Sequence, residues 1–238
     1  MFKESPTDYE LHQEECMLKT LIKHFAKEPN PLSDDIILSV ILDMFVAGTD
    51  TTSTTLDWVV YYLRNHQDVQ KLLKNEIAEN ISSQQIVYSD MERLPLCHAF
   101  LLETWRFGAI APNSLPHVVT KEFSAGKYTF PKGTIMLSSV FCVQRDRKVF
   151  KNPDKFDINN FRENGKTVTS ENFLAFSNGP RVCLGEKIAR IEAFVFMANL
   201  IKNFTFRPFE NEYGTNDDNA LVGIIRSPKN FNVIVSQD

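Results

Sequence analysis

FSNGPRVCLG, at residues 176–185, places one cysteine, Cys183, between two glycines just ahead of an apolar helical pattern. Apolar side chains then recur at helical spacing on one face, formed by Ile191, Phe194, Val195, Ala198 and Ile201. This periodicity predicts a helix over 186–202, with Cys183 in the turn that enters it. The helix dipole and the free N–H groups of a helix N-terminus stabilise a thiolate. Cys183 is therefore a candidate metal ligand.

No second cysteine stands near Cys183 in the sequence, so its thiolate could not hold zinc by itself. Haem iron takes its equatorial ligands from the porphyrin and can be held by one such thiolate. Arg181 stands two residues before the cysteine, where a guanidinium can pair with a haem carboxylate. The alternative is a structural cysteine buried in a helix-entry turn, which is the commoner state of cysteines.

The loop also follows a spacing that can be compared with known families. Its pattern is Phe-x-x-Gly-x-Arg-x-Cys-x-Gly, carried by Phe176, Gly179, Arg181, Cys183 and Gly185. This pattern resembles the haem-binding loop of the cytochromes P450, the haem-thiolate monooxygenases. The resemblance implies haem b (iron protoporphyrin IX) as cofactor, Cys183 as the ligand to its iron, and a mainly α fold with small β-sheet pieces.

The composition indicates a folded chain without a nucleic-acid partner. The 238 residues are 43% hydrophobic, which is enough for a sizeable core, and the formal net charge of −4 favours no nucleic acid. Four cysteines, at 16, 97, 142 and 183, form no CxxC pair, which indicates a reducing compartment. The polar N-terminus shows no signal peptide, and no uninterrupted apolar run reaches the roughly 18 to 20 residues of a membrane span.

Apolar periodicity indicates helices first and mixed elements later. The predicted helices cover 11–25, 33–64, 67–79, 95–107 and 186–202, with Ser33 as the N-cap of the second. Strands are expected at 204–207 and 231–235, and a hairpin over 127–137 with its turn at 131–133. The helix over 33–64 is apolar around most of its circumference, which predicts burial on several sides.

The long helix contains a stretch that breaks helical preferences, Ala47-Gly48-Thr49-Asp50-Thr51-Thr52-Ser53-Thr54-Thr55. Glycine in a helix interior costs about 1 kcal/mol relative to alanine, and threonine hydroxyls can bond back to preceding carbonyls. Such breaks tend to occur at functional sites, and we expect a distorted turn here; a hydroxyl-rich turn packed on neighbouring helices is the alternative. Ala-Gly-x-Asp-Thr-Thr resembles the oxygen-binding groove of the P450 central helix. The resemblance implies that Asp50 and Thr51 support proton delivery, with Ala47 and Gly48 against the cofactor.

Glu103 and Arg106 stand three residues apart and so share one face of the helix over 95–107. The alternative is an exposed ion pair, which would contribute little to stability. The resemblance implies instead that this Glu-x-x-Arg pair is buried behind the haem and meets an Arg or His from a later loop. That loop resembles residues 153–161, where Asn160 replaces the charged residue. An asparagine can still hydrogen-bond but carries no charge.

Pro116-His117 and the segment 130–134 resemble the animal microsomal branch of the family. There His117 would contact a haem propionate; a surface histidine before a strand is the alternative. The motifs occur in family order, but the family is much longer than this chain. We therefore expect residues 1–238 to be a partial P450 domain that corresponds to the C-terminal half.

The resemblance implies a monooxygenase that inserts one oxygen atom of O2 into a small lipophilic substrate. Its partners would be O2, that substrate and an NADPH-dependent reductase. Its location would be the cytoplasmic face of the endoplasmic reticulum membrane, with no membrane anchor in this chain. Two alternatives stay open: a truncated, catalytically incompetent haem-binding or interaction fragment, and a thiolate haem sensor that needs Cys183 but not Asp50 or Thr51. We expect that the chain does not work alone as a monooxygenase.

Overall fold

Helices make up most of the regular structure in a computed structural model that describes residues 17–25, 33–209 and 218–237. They are α1 (Met17–Phe25), α2 (Asp34–Asn65), α3 (Gln67–Asn80), α4 (Pro95–Gly108), α5 (Val140–Val143) and α6 (Glu186–Asn203). Short 3-10 helices lie at Tyr88–Arg93, Ile158–Phe161 and Gly179–Arg181. The part of the predicted first helix that precedes Met17 lies outside the described residues.

Charges at the two ends of α2 complement the helix dipole. Asp34 and Asp35 occupy the first turn, and Arg64 lies in the last. The backbone carbonyl of Ser33 accepts bonds from the N–H groups of residues 36 and 37, which begins the helix at the predicted position.

The prediction of a distorted turn within α2 is wrong, because the helix is continuous from Asp34 to Asn65. The threonine hydroxyls do bond back as expected. Thr49 Oγ1 donates to the carbonyl of Phe45 at 2.7 Å, and Thr55 Oγ1 donates to the carbonyl of Thr51 at 2.8 Å. These bonds satisfy the hydroxyls within the helix, so that a threonine-rich segment stays helical.

The N-terminal part of α2 is exposed, which corrects the prediction of burial on several sides. The boundary between two compact units falls within α2, after Asp50. In the first unit α2 exposes five large apolar side chains: Ile36, Leu38, Leu42, Phe45 and Val46. Sequence periodicity shows where apolar side chains lie on a helix, but not whether anything packs against them.

By length and composition alone α2 could cross a membrane, although the sequence predicts no segment long enough for a membrane span. This is weak evidence for a membrane span. The core helix of a water-soluble protein can have the same length and apolar composition.

Aromatic rings form the centre of the core in the second unit. Trp58 and Tyr62 stack with centroids 5.2 Å apart, and Tyr62 stacks on Phe156 at 4.1 Å. Every residue of α4 from Ala99 to Gly108 is buried. The inner face of α6 completes the core with Ala193, Phe194, Met197, Ala198 and Ile201. Fully burying a side chain as large as Phe194, Met197 or Ile201 contributes on the order of 2 kcal/mol.

The strands form five antiparallel pairs within the described ranges. They are β1 (His117–Val118) with β4 (Ile135–Met136), β2 (Phe123–Ala125) with β3 (Tyr128–Phe130), β5 (Arg162–Glu163) with β6 (Lys166–Thr167), β7 (Phe204–Pro208) with β10 (Val233–Gln237), and β8 (Ala220–Val222) with β9 (Arg226–Pro228).

The predicted hairpin over 127–137 is wrong in its pairing. β3 pairs back with β2, through a turn in which Gly126 has a φ of 58°, and β4 pairs with β1. The turn at 131–133 therefore connects strands of two different pairs. Glycine and proline signal that the chain reverses, but they do not say which strand lies alongside.

Candidate functional site

The cysteine loop, residues 176–185, is a turn that enters α6. A backbone hydrogen bond of 2.9 Å from Cys183 N–H to the Phe176 carbonyl draws the two parts of the loop together. Gly179 has a φ of 76°, a left-handed conformation that glycine adopts without strain. Gly185 precedes α6, and a Cβ on it would lie 4.0 Å from the cysteine Sγ. The glycines thus shape the loop and leave space beside the thiol.

Cys183 is exposed, and so are its neighbours Val182 and Leu184 and the predicted carboxylate-binding Arg181. The interpretation of Cys183 as a buried structural cysteine is therefore wrong. Among the described residues no group of three or more His, Cys, Asp or Glu side chains could hold a metal ion. A single accessible thiol between apolar side chains fits haem iron, whose other equatorial ligands come from the porphyrin, and does not fit zinc.

The other described cysteines lack these features. Cys97 is buried, and burial, together with the charge of Glu76, raises the pKa of its thiol well above the usual range. Cys142 is exposed but lies inside the four-residue α5 rather than at a glycine-flanked helix entry. Cys16 lies outside the described residues. Cys183 is thus the best candidate ligand in the part of the chain that the structure describes.

Glu103 and Arg106 form a fully buried ion pair, so the exposed alternative is wrong. Arg106 Nε and Nη2 donate to the two carboxylate oxygens of Glu103, each at 2.7 Å. The remaining N–H groups of Arg106 donate to the backbone carbonyls of Gln144 (2.7 Å), Pro153 (3.0 Å) and Lys155 (2.9 Å). All five donors of the guanidinium are therefore used, which is what a buried arginine requires.

The Glu103 carboxylate receives two further donors from the loop that follows. The backbone N–H of Asp157 donates to it at 2.7 Å, and the Asn160 side-chain amide donates at 3.2 Å. Burial raises the pKa of Glu103 to about 7, against the hydrogen bonds and charge of Arg106, which lower it. Asn160 therefore reaches the position where the family's charged residue was expected, as a neutral donor.

Trp105, which the sequence presents only as an apolar neighbour of this pair, connects the central helix to the cysteine loop. Its Nε1–H donates to Thr55 Oγ1 at 3.2 Å, and that hydroxyl donates to the Thr51 carbonyl. The same indole stands edge-on to Phe176, with centroids 5.0 Å apart. Because the Phe176 carbonyl binds the N–H of Cys183, a continuous set of contacts runs from Thr51 to the thiol-bearing residue.

Arg190 of α6 is a second residue that sequence reasoning missed. Its guanidinium lies 4.9 Å from the Phe176 ring centroid and 5.4 Å from that of Trp105. It also pairs with Glu186, one turn earlier, at 2.8 Å. The Glu–Arg spacing at i,i+4 was visible in the sequence, but the ring contacts depend on the tertiary fold.

The remaining predicted site residues lie on α2 and β1. Ala47, Gly48 and Asp50 are exposed on α2, and Thr51 is half-buried. A Cβ added to Gly48 would meet nothing within 4 Å, so packing in the described chain does not require glycine there. His117 is exposed in β1 opposite Met136, beside an open pocket of about 350 Å³. Their roles toward a cofactor stay predictions.

The sequence matches the family described as Cytochrome P450 over residues 3–235. Human cytochrome P450 2J2 is 37% identical over 199 residues, which are 83% of this chain and 40% of the relative. The steroid 17-alpha-hydroxylase/17,20 lyase of Squalus acanthias is 37% identical over 206 residues, 85% of this chain and 40% of its own length. The chain spans less than half the length of these curated relatives.

Solved structures match over nearly the whole chain. A zebrafish cytochrome P450 structure with abiraterone has a TM-score of 0.85 and 30% identity, and the match covers 95% of this chain and 56% of that one. A zebrafish structure with progesterone has a TM-score of 0.83 and 31% identity, and the match covers 92% and 51% of the two chains. The expected mainly α fold with small β pieces is confirmed. The chain belongs to the cytochrome P450 family.

Proposed function

We propose that the chain forms the thiolate-bearing part of a haem-thiolate monooxygenase. The observation that carries this proposal is the exposed thiol of Cys183 in a glycine-shaped loop at the entry to α6. Membership of the cytochrome P450 family supports it. Haem held by a cysteine thiolate activates O2, so that one oxygen atom enters an organic substrate while a reductase supplies two electrons.

The cysteine loop and its neighbours would bind and orient haem b. Cys183 would supply the thiolate that binds the iron. Arg181 and His117 pair with the haem carboxylates. Gly179 and Gly185 leave the backbone open to close approach by a flat porphyrin.

Asp50 and Thr51 would deliver protons at the oxygen-binding side. An exposed carboxylate can take a proton from water, and an adjacent hydroxyl can accept and donate in turn. Ala47 and Gly48 stand one turn earlier on α2. Because no side chain covers the backbone at Gly48, a ligand can lie against the helix there.

Glu103, Arg106 and Asn160 would act structurally, by holding the cofactor site in shape. Their buried network ties α4 to residues 153–161. Trp105 on the same helix packs against Phe176 of the cysteine loop. A rigid α4 therefore keeps the loop positioned.

The substrate class we propose is a small lipophilic molecule. The shark relative is a steroid 17-alpha-hydroxylase/17,20 lyase, and the two zebrafish structures were determined with abiraterone and progesterone. The resemblance to the microsomal branch adds an NADPH-dependent reductase as electron donor and the cytoplasmic face of the endoplasmic reticulum membrane as location.

The alternative function is a haem-binding or interaction fragment without catalytic activity. The exposed apolar side chains of α2 between residues 36 and 46 favour it, because they leave a surface suited to a partner. The chain's coverage of only 40% of its relatives is consistent with either function.

A chimaera separates the two functions. This chain would replace the matching 51% of the zebrafish P450 whose structure was determined with progesterone, and progesterone with a reductase and NADPH would serve as the probe. The monooxygenase proposal predicts an oxygenated product in the chimaera and none in its Cys183→Ser counterpart. A chimaera that holds haem through a thiolate yet forms no oxygenated product would favour the non-catalytic fragment.

A further inference from the structure

Asn178, to which the proposed function gives no role, forms an Asn-Gly step with Gly179 inside the cysteine loop. The side-chain Oδ1 of Asn178 accepts a hydrogen bond from the Gly179 N–H, at 2.6 Å. Both residues are exposed, and Asn178 lines an open pocket of about 430 Å³ together with Ser177 and Glu186. Water therefore has direct access to the side-chain amide.

This contact brings two reactive atoms close together. The amide carbon Cγ is bonded to Oδ1 over about 1.2 Å, so it lies within about 3.8 Å of the Gly179 nitrogen. Approach to this distance is near that of reacting atoms held in a productive geometry. Gly179 has no side chain to block the approach, and no atom outside its two chain neighbours lies within 4 Å of where its Cβ would be.

We propose that Asn178 is a site of spontaneous deamidation that rebuilds the cysteine loop. The Gly179 N–H gives up its proton to hydroxide, and the nitrogen attacks Cγ of Asn178. The new C–N bond closes a five-membered imide while the side-chain nitrogen leaves as ammonia. Water then opens either C–N bond of the imide, which yields isoaspartate or aspartate. The net reaction consumes one water, releases one ammonia and involves no oxidation.

The modification changes the loop in two ways. Either product adds a negative charge three residues before Arg181. Isoaspartate also routes the main chain through the side chain and so inserts one carbon between Phe176 and Cys183. The hydrogen bond that joins those two residues closes the loop in the unmodified chain. We expect the longer segment to break that closure and to move the thiol.

A second Asn-Gly step, Asn164-Gly165, serves as an internal control. It forms the turn between β5 and β6, where φ is 50° at Asn164 and 77° at Gly165. Left-handed values at both positions are those of a two-residue hairpin turn, which the strand pairing holds in place. The two steps have identical chemistry and differ in backbone geometry.

The test compares both steps in the native 238-residue chain and in the same chain unfolded in urea. Samples are held at mildly alkaline pH, and peptide mapping by mass spectrometry measures isoaspartate at positions 178 and 164. We expect modification at 178 to be several-fold faster than at 164 in the native chain, with a smaller ratio in urea. An Asn178→Gln variant should show no modification at 178. The proposal would be overturned if the ratio of the modification rate at 178 to that at 164 were the same in the native chain and in urea. It would also be overturned if position 178 were modified no faster than position 164 in the native chain.

The effect on the cofactor rests on the proposed haem function and is measured separately. Ion exchange separates modified from unmodified chains, because each conversion adds one negative charge. We expect the modified fraction to bind less added haem than the unmodified fraction. Isoaspartate at 178 without a change in haem binding would contradict this effect and leave the modification site standing.

Discussion

Arg106 shows at the scale of one residue why a charge can lie inside this protein. Its five N–H groups have five oxygen partners, and its carboxylate partner Glu103 has two more donors from residues 157 and 160. A buried ion pair is tolerated only when such partners complete it. Three of the oxygen partners of Arg106 are backbone carbonyls, which a side-chain substitution does not remove. Truncation of Glu103 therefore leaves the guanidinium buried without a counter-charge, and truncation of Arg106 leaves the carboxyl group of Glu103 buried without one.

We predict that Glu103→Ala destabilises the chain by about 3 to 5 kcal/mol and lowers haem retention more than it lowers catalysis per haem. Arg106 then keeps its charge without a counter-charge. Glu103→Gln should cost less, because its amide oxygen still accepts one hydrogen bond. Urea unfolding and haem content measure both variants.

Asp154→Ala provides the matched control for Glu103. Asp154 pairs with Arg147 at 2.8 Å, but the two side chains are 60% and 81% exposed, so we expect little change. Equal effects of Glu103→Ala and Asp154→Ala on unfolding and haem content would contradict a structural role for the buried pair.

We predict that Thr51 governs the coupling between NADPH consumption and product formation. In a chimaera that supplies the rest of the P450 domain, Thr51→Ala should consume NADPH while it forms less product and more peroxide, because proton delivery is disturbed. Thr49→Ala removes a hydroxyl that bonds within the same helix and should leave the ratio of product to NADPH unchanged. An unchanged ratio in Thr51→Ala would rule out this role.

The sequence predicted several residue-level features and missed others for a physical reason. The glycines, Arg181 and Cys183 of the loop follow a local spacing that can be seen in the chain itself. The carbonyl partners of Arg106 come from residues 144, 153 and 155, about forty to fifty positions away. No local pattern reports such long-range contacts.

At the scale of elements, α4 links α2 to the cysteine loop through Trp105. The indole binds the hydroxyl of Thr55 and packs on the ring of Phe176. Because α4 is buried along its inner length, its side chains have little freedom to rearrange. The link is therefore a fixed spacer between the two elements.

Trp105→Phe should remove the hydrogen bond and keep most of the ring packing. We expect a loss of about 1 kcal/mol in unfolding free energy. A double-mutant cycle with Thr55→Val should give a coupling energy of similar size, whereas Thr54→Val, at a neighbouring buried position, should be additive with Trp105→Phe. Additivity between Trp105→Phe and Thr55→Val would show that the contact carries no energy.

Helices were more predictable than strand pairing. The helix ranges expected from periodicity lie close to those observed for α2, α3, α4 and α6, since each helix satisfies its own backbone bonds. A strand needs a partner from elsewhere in the chain, and the segment over 127–137 paired differently from expectation. Local turn residues could not distinguish the two pairings.

At the scale of the whole molecule, the exposed apolar side chains of α2 predict self-association of the isolated chain. Phe45 and Val46 are 71% and 63% exposed, and the residues around them add to the same apolar surface. Phe45→Glu combined with Val46→Glu should shift the chain toward monomer in analytical ultracentrifugation. Lys148→Glu changes the net charge by the same amount at an exposed polar position and should have no such effect.

A wild-type chain that sediments as a monomer at all accessible concentrations would contradict this prediction. It would mean that the apolar side chains of α2 are buried in solution. Periodicity could not predict the exposed surface, because burial depends on what packs against a helix.

The absorption spectrum of the reduced, carbon-monoxide-bound protein tests the central claim most directly. Haem is supplied to the wild-type chain and to the Cys183→Ser and Cys142→Ser variants, the last of which changes an exposed cysteine outside the loop. We predict a thiolate-type spectrum in the wild type and in Cys142→Ser, and its loss in Cys183→Ser. A thiolate-type spectrum that survives in Cys183→Ser would contradict the assignment of Cys183 as the iron ligand.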